Sequence, residues 1–262
     1  MTKSIQQLEK DLADLEKQIS EFALTFSQKY QQYLDILSHL ARGEIILVSY
    51  QICTEIYPQR FLELTTNQRQ QLQEQIRNYA NSIENRLKNA LDFSNNEPSQ
   101  TIQDREYLAN FKKPQELLMW SNNVEHKIHQ VFIHYSNLLN QYFMELEIFP
   151  ETIAPKILEN QAESPSLNGY NSLVHLIIAS DESLLENKEP KISNIIVVNL
   201  KLAQLEFNNP TIEREHRQIR SYYEQLKNIA QIYKKTEQEL TVAKSQAAWR
   251  ALWYDKFNPP VN

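Results

Sequence analysis

Residues 5–40 read IQQLEKDLADLEKQISEFALTFSQKYQQYLDILSHL, and this stretch decides the fold class. With a taken as Ile5, Leu12, Ile19, Phe26, Tyr33 and Leu40, and d as Leu8, Leu15, Phe22, Lys29 and Ile36, only Lys29 is out of pattern. Apolar residues alternating at three and four spacings form a single stripe on a helix, so the stretch predicts one long coiled-coil-like helix with a seam to be covered. The other end of the chain has a matching repeat. After Asn209 as cap and Pro210 at the first helical position, Ile212, Ile219, Leu226, Tyr233, Leu240, Ala247 and Tyr254 recur at sevens, with Tyr222, Ile229 and Ala243 between them.

Charge indicates how these two helices meet. The flanks of the first carry Glu9, Asp11 and Glu16, and a parallel homodimer would set Asp11 near Glu16 of its partner. The last helix is rich in Arg214, Arg217, Arg220, Lys227, Lys234, Lys235 and Lys244. Like charges oppose self-pairing and unlike charges favour an intrachain antiparallel pair, with Leu40 facing Ile212 and Ile5 facing Ala247.

Between the ends, Glu44 to Tyr57 is apolar nearly all round and reads as a second helix buried on several sides, with Gly43 as the joint and Pro58 as the break. Thr65-Thr66-Asn67-Gln68 reads as a capping box opening a third helix, striped by Leu72, Ile76, Tyr79, Ile83, Leu87 and Leu91. Residues 92–105 lose periodicity and read as a linker. A core-facing helix resumes at Pro114 and runs toward Pro150, and residues 151–190, broken by Pro155, Pro165, Gly169 and Pro190, read as irregular. Leu173–Ala179 can pair with Ile195–Val198 as a small hairpin within 172–199. The preferred reading there is a helix capped by Ser193 and running through Leu200, Leu202, Leu205 and Phe207. The fold class is all-α: an N-terminal heptad helix (1–43), a helical head (44–208), a C-terminal heptad helix (209–257) and a tail (258–262).

Composition narrows function by exclusion. The 262 residues include 2 glycines, Gly43 and Gly169, where average usage of ~7% would supply roughly eighteen. Phosphate-cradling loops and dinucleotide folds rest on glycine, so both are disfavoured. A net charge of −6 offers no global field for nucleic acid phosphates. The lone Cys53 has no disulfide or zinc partner, which points to a reducing compartment. The N-terminus has no secretion signal, and the longest apolar run, about ten residues, is half the roughly 20 that a spanning helix needs. A cytoplasmic location is the expectation.

Candidate sites are few. Glu125, His126 and His129 share a helical turn, and Glu213-Arg214-Glu215-His216 holds one Glu-x-x-His, whereas a carboxylate di-iron bundle needs that motif twice. Both read as solvated polar faces, and no metal, cofactor or catalytic residue is assigned. No nucleophile elbow or Cys/His signature is present. The best interaction candidate is Ala247–Phe257, where Trp249, Trp253 and Phe257 fall at i, i+4 and i+8 beside Arg250 and Tyr254. Trp, Tyr and Arg dominate interface energies, although burial against the protein's own body is the preferred reading of this stripe.

At Leu200–Phe207 and Ala247–Arg250 the chain resembles α-helical proteins of cyanobacteria whose activity is unknown. The resemblance implies a bacterial cytoplasm and transfers no functional residue. The expectation is a non-catalytic scaffold or adaptor for a protein partner, as a monomer or homodimer. A membrane surface met by the C-terminal stripe is the second reading, and a helical-bundle enzyme the third.

Overall fold

The computed structural model of the chain describes residues 3–91, 111–149, 172–179 and 192–257. The linker expected at 92–105, most of the irregular segment 151–190 and the tail 258–262 lie outside the described residues. Among the described residues, six α-helices and one two-stranded antiparallel sheet follow in the order α1 (Ile5–Gln51), α2 (Pro58–Glu63), α3 (Thr66–Lys88), α4 (Pro114–Glu145), β1 (Leu173–Ala179), β2 (Ile192–Val198), α5 (Leu202–Asn208) and α6 (Pro210–Phe257). This is the all-α fold with a small hairpin. The chain separates into two compact units, one of Met1–Tyr30, Asp92–Asn123 and Arg217–Asn262, the other of Gln31–Leu91 and Val124–His216.

The first helix does not stop at Gly43; α1 runs through it to Gln51. Gly43 sits in open space on that helix, so neither crowding nor a turn requires it there. A five-residue π turn, Ile52–Ile56, ends the rod, and Pro58 opens α2 at its first position, where the missing N–H costs nothing. Thr65 caps α3 as expected, with its hydroxyl accepting from Gln68 N and the Gln68 side chain accepting from Thr65 N.

The buried face of α1 departs from the heptad. Ile19, Ala23, Phe26, Tyr30, Leu34, Leu37, Ala41, Ile45, Val48 and Ile52 are all buried, and their spacing repeats every eleven residues. The buried face of α4 has the same repeat, in Leu117, Ser121, Val124, Ile128, Phe132, Tyr135, Leu139 and Phe143. Eleven residues over three turns is ~3.67 per turn, close to the natural ~3.6, so such a seam follows a helix without the winding a heptad imposes. Lys29 breaks the heptad because the seam has already moved away from it.

In the first unit α1 and α6 run antiparallel. Lys244 Nζ reaches Glu9 Oε1 at 2.8 Å, within one residue of the expected register. Tyr222 packs on Phe22 and Phe26, two turns and one turn before the Tyr30 that a constant register would place opposite it. Ala247, expected against Ile5, is exposed. Ser20 Oγ donates to the Phe111 carbonyl at 2.9 Å and Tyr30 shares a 2.9 Å hydrogen bond with Ser121, which ties α1 to α4.

In the second unit the hairpin packs beside the helices, with Val174, Leu176, Ile195 and Val197 buried. The helix expected from Ser193 is not formed, and Ile192–Val198 is a strand paired in the register Leu173↔Val198 through Ala179↔Ile192. Ile195, Ile196, Val197 and Val198 are all β-branched; such side chains lose rotamer freedom in a helix and pack well on a pleated sheet. A helix forms only after them, at Leu202.

Side chains complete the outer edge of β2. The Asn140 amide donates to the Val198 carbonyl and accepts from its N–H, both at 2.8 Å. Tyr57 Oη accepts from Ile196 N at 2.9 Å and donates to Ile196 O at 3.2 Å, and Ser136 Oγ accepts from Leu200 N at 2.8 Å.

Helix α4 ends at a non-glycine residue in left-handed conformation, Glu147, with φ 56°. Ile148 N donates to Phe143 O and Glu147 N to Met144 O, which is the Schellman pattern, and both Phe143 and Ile148 are buried. A left-handed L-residue costs roughly 1–2 kcal/mol, partly offset in glycine by its greater loss of chain entropy. Glu147→Gly is therefore expected to stabilise the protein by about 0.5–1 kcal/mol, read as a higher urea midpoint at unchanged slope; a lower midpoint would show that the Glu147 side chain itself contributes.

Candidate interaction surface

Burial along α6 fades toward its C-terminus. Ile212, Ile219, Leu226 and Tyr233 are buried, Leu240 is half-buried and Ala247 is exposed. At ~100° per residue, Trp249 stands ~200° around the helix from Ala247 and Val242 ~200° from Leu240, so both lie on the face opposite the seam. Trp249 is 64% exposed, Val242 54% and Leu252 66%. Burial of Trp249 on the protein's own body, preferred from sequence, is thus corrected, because the half of α6 that carries it has left the covered seam. Arg250 beside it is exposed. Trp253, Tyr254 and Phe257 belong to the same helix, and their side chains lie outside the described residues. The exposure of Val242 and Leu252 was missed from sequence, although their spacing from Trp249, seven before and three after, is the signal that would have found them.

The histidines separate into different roles. His126 and His129 are exposed, as expected of a polar face. His216 is not solvated: its Nδ1 pairs with Glu206 Oε1 and its ring stacks on Tyr33, 5.3 Å between centroids and 29° between planes. The turn at Asn208–Pro210 brings Glu206 of α5 back onto the first turns of α6, so the partner of His216 lies outside its Glu-x-x-His motif. Among the described residues no group of three or more His, Cys, Asp or Glu side chains could hold a metal ion.

A shallow hollow of about 480 Å³ lies between α3 and α4, lined by Arg86, Asn89, His126, Lys127, Gln130 and His134. His126, Gln130 and His134 stand at i, i+4 and i+8 on α4, a spacing legible in sequence, whereas Arg86 joins them only through tertiary packing. Burial, with the Arg86 guanidinium adding to it, holds His134 below the usual histidine range. Arg86 also lies over the Tyr135 ring, 5.8 Å from its centroid. On the opposite flank of α3, Glu84 gathers Lys88 at 2.7 Å, His39 at 3.2 Å and Arg42 at 3.3 Å. The Lys88 hydrogen bond holds its carboxyl below the ordinary range against the opposing effect of burial, with Arg42 and His39 adding. Burial alone pushes the Cys53 thiol up to about 12, which leaves it without nucleophilic character near neutral pH.

No described helix is long and apolar enough to cross a membrane. Comparison with models of known protein families, with curated proteins and with solved structures found no match to the chain.

Proposed function

We propose that this protein is a non-catalytic scaffold or adaptor that binds a protein partner through the distal part of α6. The observation that carries the reading is the exposure of Trp249, with Val242 and Leu252, on the side of α6 turned away from its own packed seam. Large apolar side chains exposed together mark interaction sites, and the energetic centres of protein interfaces are enriched in tryptophan and arginine. A helix presenting such a stripe suits an apolar groove or a second amphipathic helix.

The membrane reading has less support. An interfacial helix draws on a polar face dense in lysine and arginine, whereas residues 245–257 carry only Arg250 and Lys256 against Asp255, and Lys244 is engaged by Glu9.

Affinity purification of the full chain from cells of its source organism, with quantitative mass spectrometry, tests the proposal. Trp249→Ala combined with Leu252→Ala changes exposed positions, so thermal stability should stay within about 0.5 kcal/mol of the parent. The specific partner should fall at least tenfold in recovery. An unchanged set of partners, or co-flotation with anionic vesicles abolished by the same pair of substitutions, rejects the proposal.

A further inference from the structure

The backbone of the hairpin divides its polar groups with a strict parity. Asn199 N donates to Ser172 O at 2.8 Å, which fixes Ser172 and Asn199 as a hydrogen-bonded pair. With the observed register, Val174 with Val197 and Leu176 with Ile195 are then the inward hydrogen-bonded pairs. Ile196 and Val198 point outward from β2, and there Tyr57 and Asn140 meet them. The backbone N–H and C=O groups of Leu173, His175, Ile177 and Ala179 point outward from β1, and among the described residues no further strand pairs with it. One edge of this sheet is closed by side chains; among the described residues the other is not.

An open strand edge is a template for pairing, and proteins that avoid pairing blunt it with lysine, proline or a bulge. The β1 sequence, Leu-Val-His-Leu-Ile-Ile-Ala, has no proline and no formal charge with histidine neutral. Its register with β2 is unbroken over seven pairs, so no bulge twists it away.

We propose that β1 is a pairing edge for a second copy of this chain, the two β1 strands lying antiparallel across a twofold axis to make a four-stranded sheet. The strand is complementary to itself. A twofold centred on Leu176 sets Leu173 opposite Ala179 and His175 opposite Ile177, and in this register each outward N–H and C=O meets an outward group of the other copy. Because the strand is uncharged, like meets like without repulsion, whereas a charged peptide would find no complement along it. A twofold contact needs only one surface patch per chain, and β1 supplies one. Val174 and Leu176 are buried and His175 is exposed, so pairing at the edge leaves the inner face of the hairpin undisturbed. The site is independent of α6 and does not rest on the function proposed for it.

Sedimentation of the full chain over a wide range of concentration, combined with amide hydrogen exchange, tests the assignment. Dimer should form as concentration rises, and exchange at Leu173, His175 and Ile177 should slow in step with it. His175→Pro removes an outward N–H that the sheet itself does not use, and His175→Lys places a like charge on each strand; each should weaken the dimer at least tenfold. The lysine variant keeps every backbone group, so it carries the test if the proline variant does not fold. A chain that stays monomeric throughout overturns the assignment. So does a dimer indifferent to His175→Lys, or one that forms without added protection in β1.

Discussion

Phe26→Ala is expected to destabilise the protein by about 3–5 kcal/mol, the largest effect of any single truncation considered for the first unit. Phe26 is wholly buried. Its ring centroid stands 5.0 Å from that of Tyr30 and 5.8 Å from those of Phe22, Trp120 and Tyr222, with the Tyr222 ring nearly parallel at 7°. Three helices therefore converge on one side chain. Alanine would leave a cavity that rings on rigid helices cannot close, and would remove aromatic pairs worth roughly 0.5–1.5 kcal/mol each beyond their buried area. Urea unfolding followed by tryptophan fluorescence is a direct assay, since Trp120 lies in the contact. Phe26→Leu keeps most of the volume and should lose less than half as much. A loss below about 1 kcal/mol for alanine would show that the cluster does not hold α1, α4 and α6 together.

Asn140→Leu should come next, through a different mechanism. The side chain is buried and its amide serves both the N–H and the C=O of Val198. Leucine fills similar space but satisfies neither group, and each buried backbone group left unpaired costs about 1–3 kcal/mol. The loss should therefore exceed that of an ordinary core substitution of equal volume. Amide exchange at Val198 should accelerate, while exchange at Val197, bonded toward β1, changes less. Asn140→Asp should fall between the two proteins, because a carboxylate still accepts from Val198 N but faces the Val198 carbonyl. An Asn140→Leu protein as stable as its parent would mean that water replaces the amide at this edge.

How much of this was readable in advance depends on the range of the interaction concerned. The capping box at Thr65 is local chemistry between residues three apart, and it forms as read. The long helices at both ends were legible because a one-sided apolar stripe persists over many turns. The hairpin was visible as a possibility in the apolar runs at 173–179 and 195–198, but the helical reading was preferred there. Propensity in short segments is a weak guide, and it is the clamps from Tyr57, Asn140 and Ser136, distant in sequence, that make the extended form stable. The seam of α1 was read as seven-residue when most of it is eleven-residue, because the two repeats coincide over a few turns and only Lys29 betrayed the drift. Trp249 of α6 was singled out but its exposure was not, since its spacing from Val242 and Leu252 serves a packed face and an open one equally well.

The amino-acid order by itself determined the helical class, the two long terminal rods and their antiparallel sense, and the caps at Thr65 and Asn209. Each follows from backbone preference, stripe periodicity or charge, which act along one segment at a time. Only the tertiary structure decided that Ile192–Val198 is a strand, that His216 belongs to Glu206 and Tyr33, that Arg86 faces His134, and that Trp249 is exposed on the side of α6 opposite its buried seam. Those outcomes depend on which surface another segment happens to cover, and a free energy shared between distant segments is written in neither of them alone.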